Sequence, residues 1–193
     1  MKDAETPCLR HSITLGLIVA DLQRYYSLVH PKAPACSSFT LVKFLIQPRI
    51  LPVLLYRISH FFYRYKLKSF SWLFFLANRL IHGIEIAAAC KIGPGLFIPH
   101  TYGTVIGAFS IGANATVFQG ATLGAKHLAF DFDTSTRPTL GDNVTIGSGA
   151  KVLGGISIGS NSIVGANSVV VSDVPSDCLV VGIPAMIKKS NNR

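Results

Sequence analysis

Residues 140–170 read LGDNVTIGSGAKVLGGISIGSNSIVGANSVV, and an aliphatic residue returns at every sixth position: Leu140, Ile146, Val152, Ile158, Val164 and Val170. The same beat runs upstream through Ile86, Ile92 and Ile98, and again through Val105, Ile111, Val117 and Leu123. Gly follows many of these residues directly, as at Gly93, Gly112, Gly124, Gly141, Gly147, Gly159 and Gly165. A period of six fits neither the 3.6 of a helix nor the 2 of an alternating strand. It fits a hexapeptide β-helix, in which each hexad supplies one short strand and one corner, with the aliphatic side chain turned inward. A second small or aliphatic position recurs four residues on, at Ala115, Ala121, Val144, Ala150, Ile156, Ser162 and Ser168.

The beat breaks twice. The step from Ile98 to Val105 is seven residues, and the step from Leu123 to Leu140 is seventeen, with Gly124 to Thr139 inserted. A regular stack carries little chemistry. Insertions in a solenoid map to surface loops, often on the binding face, so the breaks are where chemistry is expected.

Helical spacing dominates residues 13–82. From Pro52 onward, Leu54, Leu55, Ile58, Phe61, Phe62 and Tyr65 share a face, with Arg57 and Arg64 on another flank. Phe70 to Ile81 reads as a further helix stopped by Gly83. The organisation expected is a helical N-terminal region over 1–84, a β-helix over 85–175 and a short basic tail over 176–193.

Of the 193 residues, 49% are apolar and only 14% charged, more apolar surface than a stand-alone soluble monomer needs to bury. Self-association or a membrane surface is therefore expected. The net charge of +9 is uneven, with eleven Lys and Arg against four Asp and Glu over residues 1–85. Such a bias suits an anionic ligand or anionic lipid. Nucleic acid is not expected, because no recognition motif accompanies the charge. Peripheral membrane contact through the helices is a second use for their Phe, Tyr, Arg and Lys. The uncharged run from Ser69 to Asn78 is too short to span a bilayer, which needs about 20 apolar residues. Cys8, Cys36, Cys90 and Cys178 lie far apart, as unpaired thiols of a cytoplasmic protein do.

Two histidines lie beyond Glu85: His100 at the first break and His127 in the insert. His100 stands outside the inward position of its hexad. Glu85 lies fifteen residues earlier, close to one coil of three hexads, so stacking brings a carboxylate toward an imidazole. Such a pair orients the ring and stabilises its protonated form, as a general base requires. A zinc site on such a coil needs three histidine ligands, and two are too few, so no metal is expected. A coil serving assembly alone is the non-catalytic alternative, and the break holding His100 and the long insert speak against it.

The order of a helical region, then GIEIAAACKIG (83–93), IPHTYGTVIG (98–107), RPTLGD (137–142) and GIPA (182–185), resembles serine acetyltransferases and, more broadly, hexapeptide-repeat acyltransferases. The resemblance implies a left-handed parallel β-helix with an α-helical N-terminal region, a homotrimer or dimer of trimers, and acetyl-CoA as co-substrate. It implies active sites between adjacent subunits. Carried over by position, His100 corresponds to the catalytic base and Glu85 to its acidic partner. Gly124, Ala125, Ser148, Ala166 and Pro184 correspond to positions along the coenzyme. Two positions depart from the pattern. Pro99 replaces an Asp, and Thr136-Arg137-Pro138 replaces Arg-His-Pro.

The function expected is acetyl-CoA-dependent O-acetyl transfer, with His100 taking the proton of an acceptor hydroxyl. The altered clamp around Pro99 and Arg137 favours a neutral sugar of a bacterial polysaccharide or its precursor, with free serine as the alternative. On the acceptor side, Phe130 and Phe132 are expected to stack on a sugar ring and Asp131 and Asp133 to bond its hydroxyls, while Arg137 is the residue to take the carboxylate if the acceptor is free serine.

Overall fold

In the computed structural model, residues 7–32, 44–45, 47–127 and 132–190 are described. Helix α1 covers Pro7–Val29, α2 Leu51–Arg64 and α3 Lys68–His82. Pro52 sits in the first turn of α2, where its missing N–H costs nothing. Helix α3 ends on Gly83, whose φ of 62° gives the left-handed cap a Cβ-bearing residue resists. The third helix read from the sequence is therefore present, with its predicted stop.

Beyond Gly83 the chain winds through short strands that stack into three parallel sheets, one per face of a prism. The first face holds β1 (Ile84–Ile86), β3 (Thr104–Ile106), β6 (Thr122–Gly124), β9 (Lys151–Leu153) and β12 (Val169–Val170). The second holds β2 (Lys91–Ile92), β4 (Ser110–Ile111), β7 (Thr139–Leu140) and β10 (Ser157–Ile158). The third holds β5 (Thr116–Val117), β8 (Thr145–Ile146), β11 (Ile163–Val164) and β13 (Cys178–Gly182), then β14 (Ala185–Ser190), which turns back antiparallel. This is the left-handed parallel β-helix of hexapeptide repeats with an α-helical N-terminal region.

Register explains the period of six. On the first face Ile86, Ile106, Leu123, Val152 and Val170 lie over one another. On the second, Ile92, Ile111, Leu140, Ile158 and Val174 do the same. On the third, Val117, Ile146, Val164 and Val180 form the column beneath Ile98. All are buried, each contributing about 1.5–3 kcal/mol of apolar transfer. Parallel strands ordinarily need a helical crossover. Here the coil itself is the crossover, so the sheets grow without one. At one corner the side chains of Asn143, Asn161 and Asp177, all at positive φ, ladder through bonds of 3.0 Å donated by Asn143 Nδ2 and Asn161 Nδ2.

Two readings of the sequence are corrected. Val105 is not an inward beat: it is 37% exposed, and Ile106 is the residue that faces the core opposite Ile86 and Leu123. The break after Ile98 shifts the register by one, and a one-residue shift turns a strand side chain to the other face. Arg57 is not on a solvated flank but 1% exposed. Its guanidinium bonds Asp21 through Nε at 2.9 Å and Nη2 at 3.1 Å, and donates to the carbonyls of Ile92 and Gly93 at 2.6 Å each. Asp21 Oδ1 also accepts the N–H of Gly95 and of Leu96. Arg24 adds bonds to the carbonyls of Gly95 and Ala115 and to Thr116 Oγ1. The helices are thus docked on the first coil through buried charge.

Helices α2 and α3 meet over small residues, with Ser59 Oγ donating to the Ser71 carbonyl at 2.8 Å and Asn78 Nδ2 to that of Pro52 at 2.9 Å. The outer side of α3 leaves Phe70, Trp72, Leu73, Leu80 and Ile81 exposed. No helix among the described residues is long and apolar enough to cross a membrane.

Removing one partner of a buried ion pair strands the other, at about 3–5 kcal/mol. Arg57→Met is expected to lose that much in urea unfolding, and Arg57→Met with Asp21→Asn to lose less than the sum of the two single losses. A second expectation concerns Cys90, whose thiol burial pushes up to about 12. The unfolded thiol ionises first, so stability falls as pH rises from about 8.5, the ordinary thiol value, toward about 12. Cys90→Ala should flatten that part of the stability profile, read as melting temperature against pH.

Candidate active site

The corner joining the third face to the first carries four of the sequence-predicted residues, His100, Ser148, Ala166 and Pro184. Down this edge, Gly120 N–H donates to the Tyr102 carbonyl at 3.1 Å, Gly149 N–H to Gln119 at 2.9 Å and Asn167 N–H to Ser148 at 2.8 Å. The segment from His100 to Gly103, Ser148, Ala166 and the turn at Pro184 therefore lie along one edge. Adjacent parallel strands are 4.7–4.9 Å apart, so four coil steps extend this edge roughly 19 Å from the His100 end to the Pro184 end. An extended ligand arm suits such a ledge, since Ala166 and the neighbouring glycines leave its backbone approachable. Gly124 and Ala125 are not on this edge. They end β6 at the opposite margin of the first face, where Gly154 N–H donates to the Gly124 carbonyl at 2.9 Å.

His100 is exposed and makes no hydrogen bond with another described residue. It lies in a 320 Å³ cleft formed where the loop before β3 meets the end of α3 and the segment before α2. Pro48, Arg49, Ile81, His82, Pro99, Thr101 and Tyr102 complete the lining. Gly103 N–H donates to the Gly83 carbonyl at 2.9 Å, which holds the His100 loop against the helix end. The Tyr102 ring covers Gly83, where a Cβ would come within 2.9 Å of Tyr102 Cδ1. A larger cleft of 610 Å³ lies beside the second face, lined by His60, Arg64 and Lys91 among others. It contains none of the sequence-predicted residues, so chemistry is placed in the smaller one.

Glu85 points outward from β1, across from Val105, and its Oε1 lies 3.4 Å from Arg79 Nε. Both side chains are well exposed, and such a surface pair contributes little. The structure does not join Glu85 to His100 by a hydrogen bond. His127 is exposed on the insert.

Phe130 and Asp131 fall outside the described residues. Phe132, Asp133 and Arg137 are engaged within the protein. Phe132 packs against the core, and the Arg137 guanidinium lies 4.2 Å over its ring while Nη1 donates to the Gly107 carbonyl at 2.9 Å. Asp133 caps the short 3-10 turn Thr134–Thr136, accepting from Ser135 N–H at 2.9 Å and Ser135 Oγ at 2.8 Å. Those bonds, backbone first, hold its carboxyl below the usual range, with the nearby Arg137 adding to the shift.

Sequence reasoning missed Arg49 and His82. Neither sits in a motif, and both line the cleft with His100 only because the end of α3 and the segment before α2 meet beside the loop. His82 Nε2 is shut from water without a partner, and burial lowers the ring below the ordinary histidine value.

Fold and site define the class: residues 137–172 match the family described as bacterial transferase hexapeptide (six repeats). Two curated relatives sharpen this. The chain is 42% identical over 144 residues to the serine acetyltransferase of Synechococcus elongatus, covering 74% of this chain and 58% of that one. It is 41% identical over 142 residues to the serine acetyltransferase of Helicobacter pylori, covering 73% and 81%. The crystal structure of Neisseria gonorrhoeae serine acetyltransferase in complex with serine matches with a TM-score of 0.76 at 31% identity, over 94% of this chain and 71% of that one. The chain belongs to the serine acetyltransferase family. It spans just over half the length of the Synechococcus relative.

The junction that shapes the cleft is testable through two glycines. Gly83→Ala places a Cβ at a left-handed φ and against Tyr102, and is expected to cost at least about 1–2 kcal/mol. Gly16→Ala, in α1 with nothing within 4 Å of the added Cβ, should instead stabilise by about 0.5–1 kcal/mol. Thermal unfolding of the two variants is expected to move in opposite directions.

Proposed function

We propose that the protein is an acetyl-CoA-dependent serine O-acetyltransferase. The observation that carries this is His100, an imidazole with no hydrogen-bond partner among the described residues, in a cleft at one end of a corner ledge in a chain of this family. The acceptor Oγ–H gives its proton to His100 as that oxygen attacks the thioester carbonyl carbon of acetyl-CoA. The tetrahedral adduct collapses, the C–S bond breaks, and the departing coenzyme thiolate takes the proton back from the imidazolium. Transfer is direct, since no Ser or Cys of the cleft serves as a nucleophile. The coenzyme arm lies along the edge that carries Ser148, Ala166 and Pro184, with Gly124 and Ala125 approached across the first face from a neighbouring subunit. Glu85 orients His100 once the exposed pair with Arg79 is exchanged.

Serine replaces the sugar hydroxyl that the altered clamp suggested. The relatives favour serine. The insert also offers a sugar less than expected, because Phe132 is stacked under Arg137 and Asp133 is used in its own turn. The active unit is a trimer, with the exposed apolar residues of α3 available for further association.

His100→Ala is expected to lose at least about 10²-fold in kcat with acetyl-CoA affinity preserved, and Glu85→Gln to lose less. Turnover of L-serine by thiol release, alongside light scattering for a trimer's mass, checks the reading. Near-normal turnover by His100→Ala would sink it.

A further inference from the structure

We propose that Arg49 selects a free amino acid as acceptor by taking its carboxylate. The inference rests on the serine acetyltransferase reading above and names a group that makes serine the substrate of that site.

A free amino acid carries an ammonium and a carboxylate, and both must find partners when they leave water for a cleft. The usual partner for an ammonium beside a catalytic imidazole is a carboxylate, and this cleft has none among its lining residues: position 99 is proline. Arg137, the other charged group read from the sequence, is spent elsewhere, bonded to the Gly107 carbonyl and stacked on Phe132. The cleft around His100 nonetheless contains one group of the right chemistry for the carboxylate.

Arg49 is exposed at the rim and makes no hydrogen bond or ion pair with another described residue. A guanidinium with its planar fork open matches a carboxylate with two parallel N–H···O bonds. His100 lies in the same cleft to receive the hydroxyl proton. His82, on the last turn of α3, also lines that cleft, but its Nε2 is shut from water. A neutral sugar has no use for the guanidinium, so Arg49 also discriminates against it.

The test compares acceptors that lack one charge. L-serinamide keeps the ammonium and hydroxyl but lacks the carboxylate, and 3-hydroxypropionate keeps the carboxylate and hydroxyl but lacks the ammonium. For the wild-type enzyme with saturating acetyl-CoA, kcat/KM for L-serine is expected to exceed that for each analogue at least tenfold. Arg49→Met should erase the preference over L-serinamide, with the loss falling in serine KM rather than kcat, and Arg49→Lys should restore part of it. The preference over 3-hydroxypropionate, which keeps the carboxylate, should survive Arg49→Met. Arg49 is exposed, so its variants are expected to fold, and their melting temperatures check this. Serine turnover by wild type with the preference over L-serinamide intact in Arg49→Met overturns the role of Arg49 and leaves the activity standing. No serine turnover by wild type overturns both.

Discussion

The buried pair of Asp21 and Arg57 is the constraint on which the arrangement depends. A β-helix has an open first coil, whose backbone groups have no neighbouring coil above them. Arg57 satisfies the carbonyls of Ile92 and Gly93, and Asp21 satisfies the N–H groups of Gly95 and Leu96. Each charge is neutralised by the other and by the backbone, which is the condition under which burying both is tolerable. The pair therefore does two things at once. It caps the stack, and it fixes α1 and α2 to the coil at one position only, because a slip of either helix would leave a charge unpaired.

That docking decides where the cleft is. With α2 seated on the first coil and α3 packed on α2 through Ser59, Ser71 and Asn78, the end of α3 arrives beside the loop that breaks the repeat. Gly83 then turns the chain into β1, and its carbonyl accepts from Gly103 on the far side of the loop. His100 is held between a helix terminus and a coil corner, rigid elements on both sides. Down the same corner runs a ledge of small residues long enough for an extended arm. The His100 cleft and the ledge are thus set by the same stacking.

How much of this was legible in the sequence follows from what kind of pattern each feature leaves. The inward columns were legible because a repeat states the same demand at every turn, and the core has room only for an aliphatic side chain there. The exception is instructive: Val105 looked like a beat and Ile106 is the core residue, because the break after Ile98 contains no repeat from which to count. His100 was legible as a histidine at an interruption. Arg57 was not legible as a buried residue, since helical spacing alone places it on a flank and only Asp21, 36 residues earlier, rescues it. The insert was legible as a loop, but Phe132 packs on the core under Arg137 and Asp133 caps the loop's own turn.

The sequence by itself determined the β-helix, its aliphatic core, the helical lead-in and the place of the candidate catalytic histidine, because each is a local or periodic demand that any short window states. Only the tertiary structure decided which charges are buried, which strand residue faces inward after the break, and that Arg49 and His82 share a cleft with His100. Those depend on contacts between residues tens of positions apart, and no period or motif encodes a meeting that the docking of helices on a coil creates.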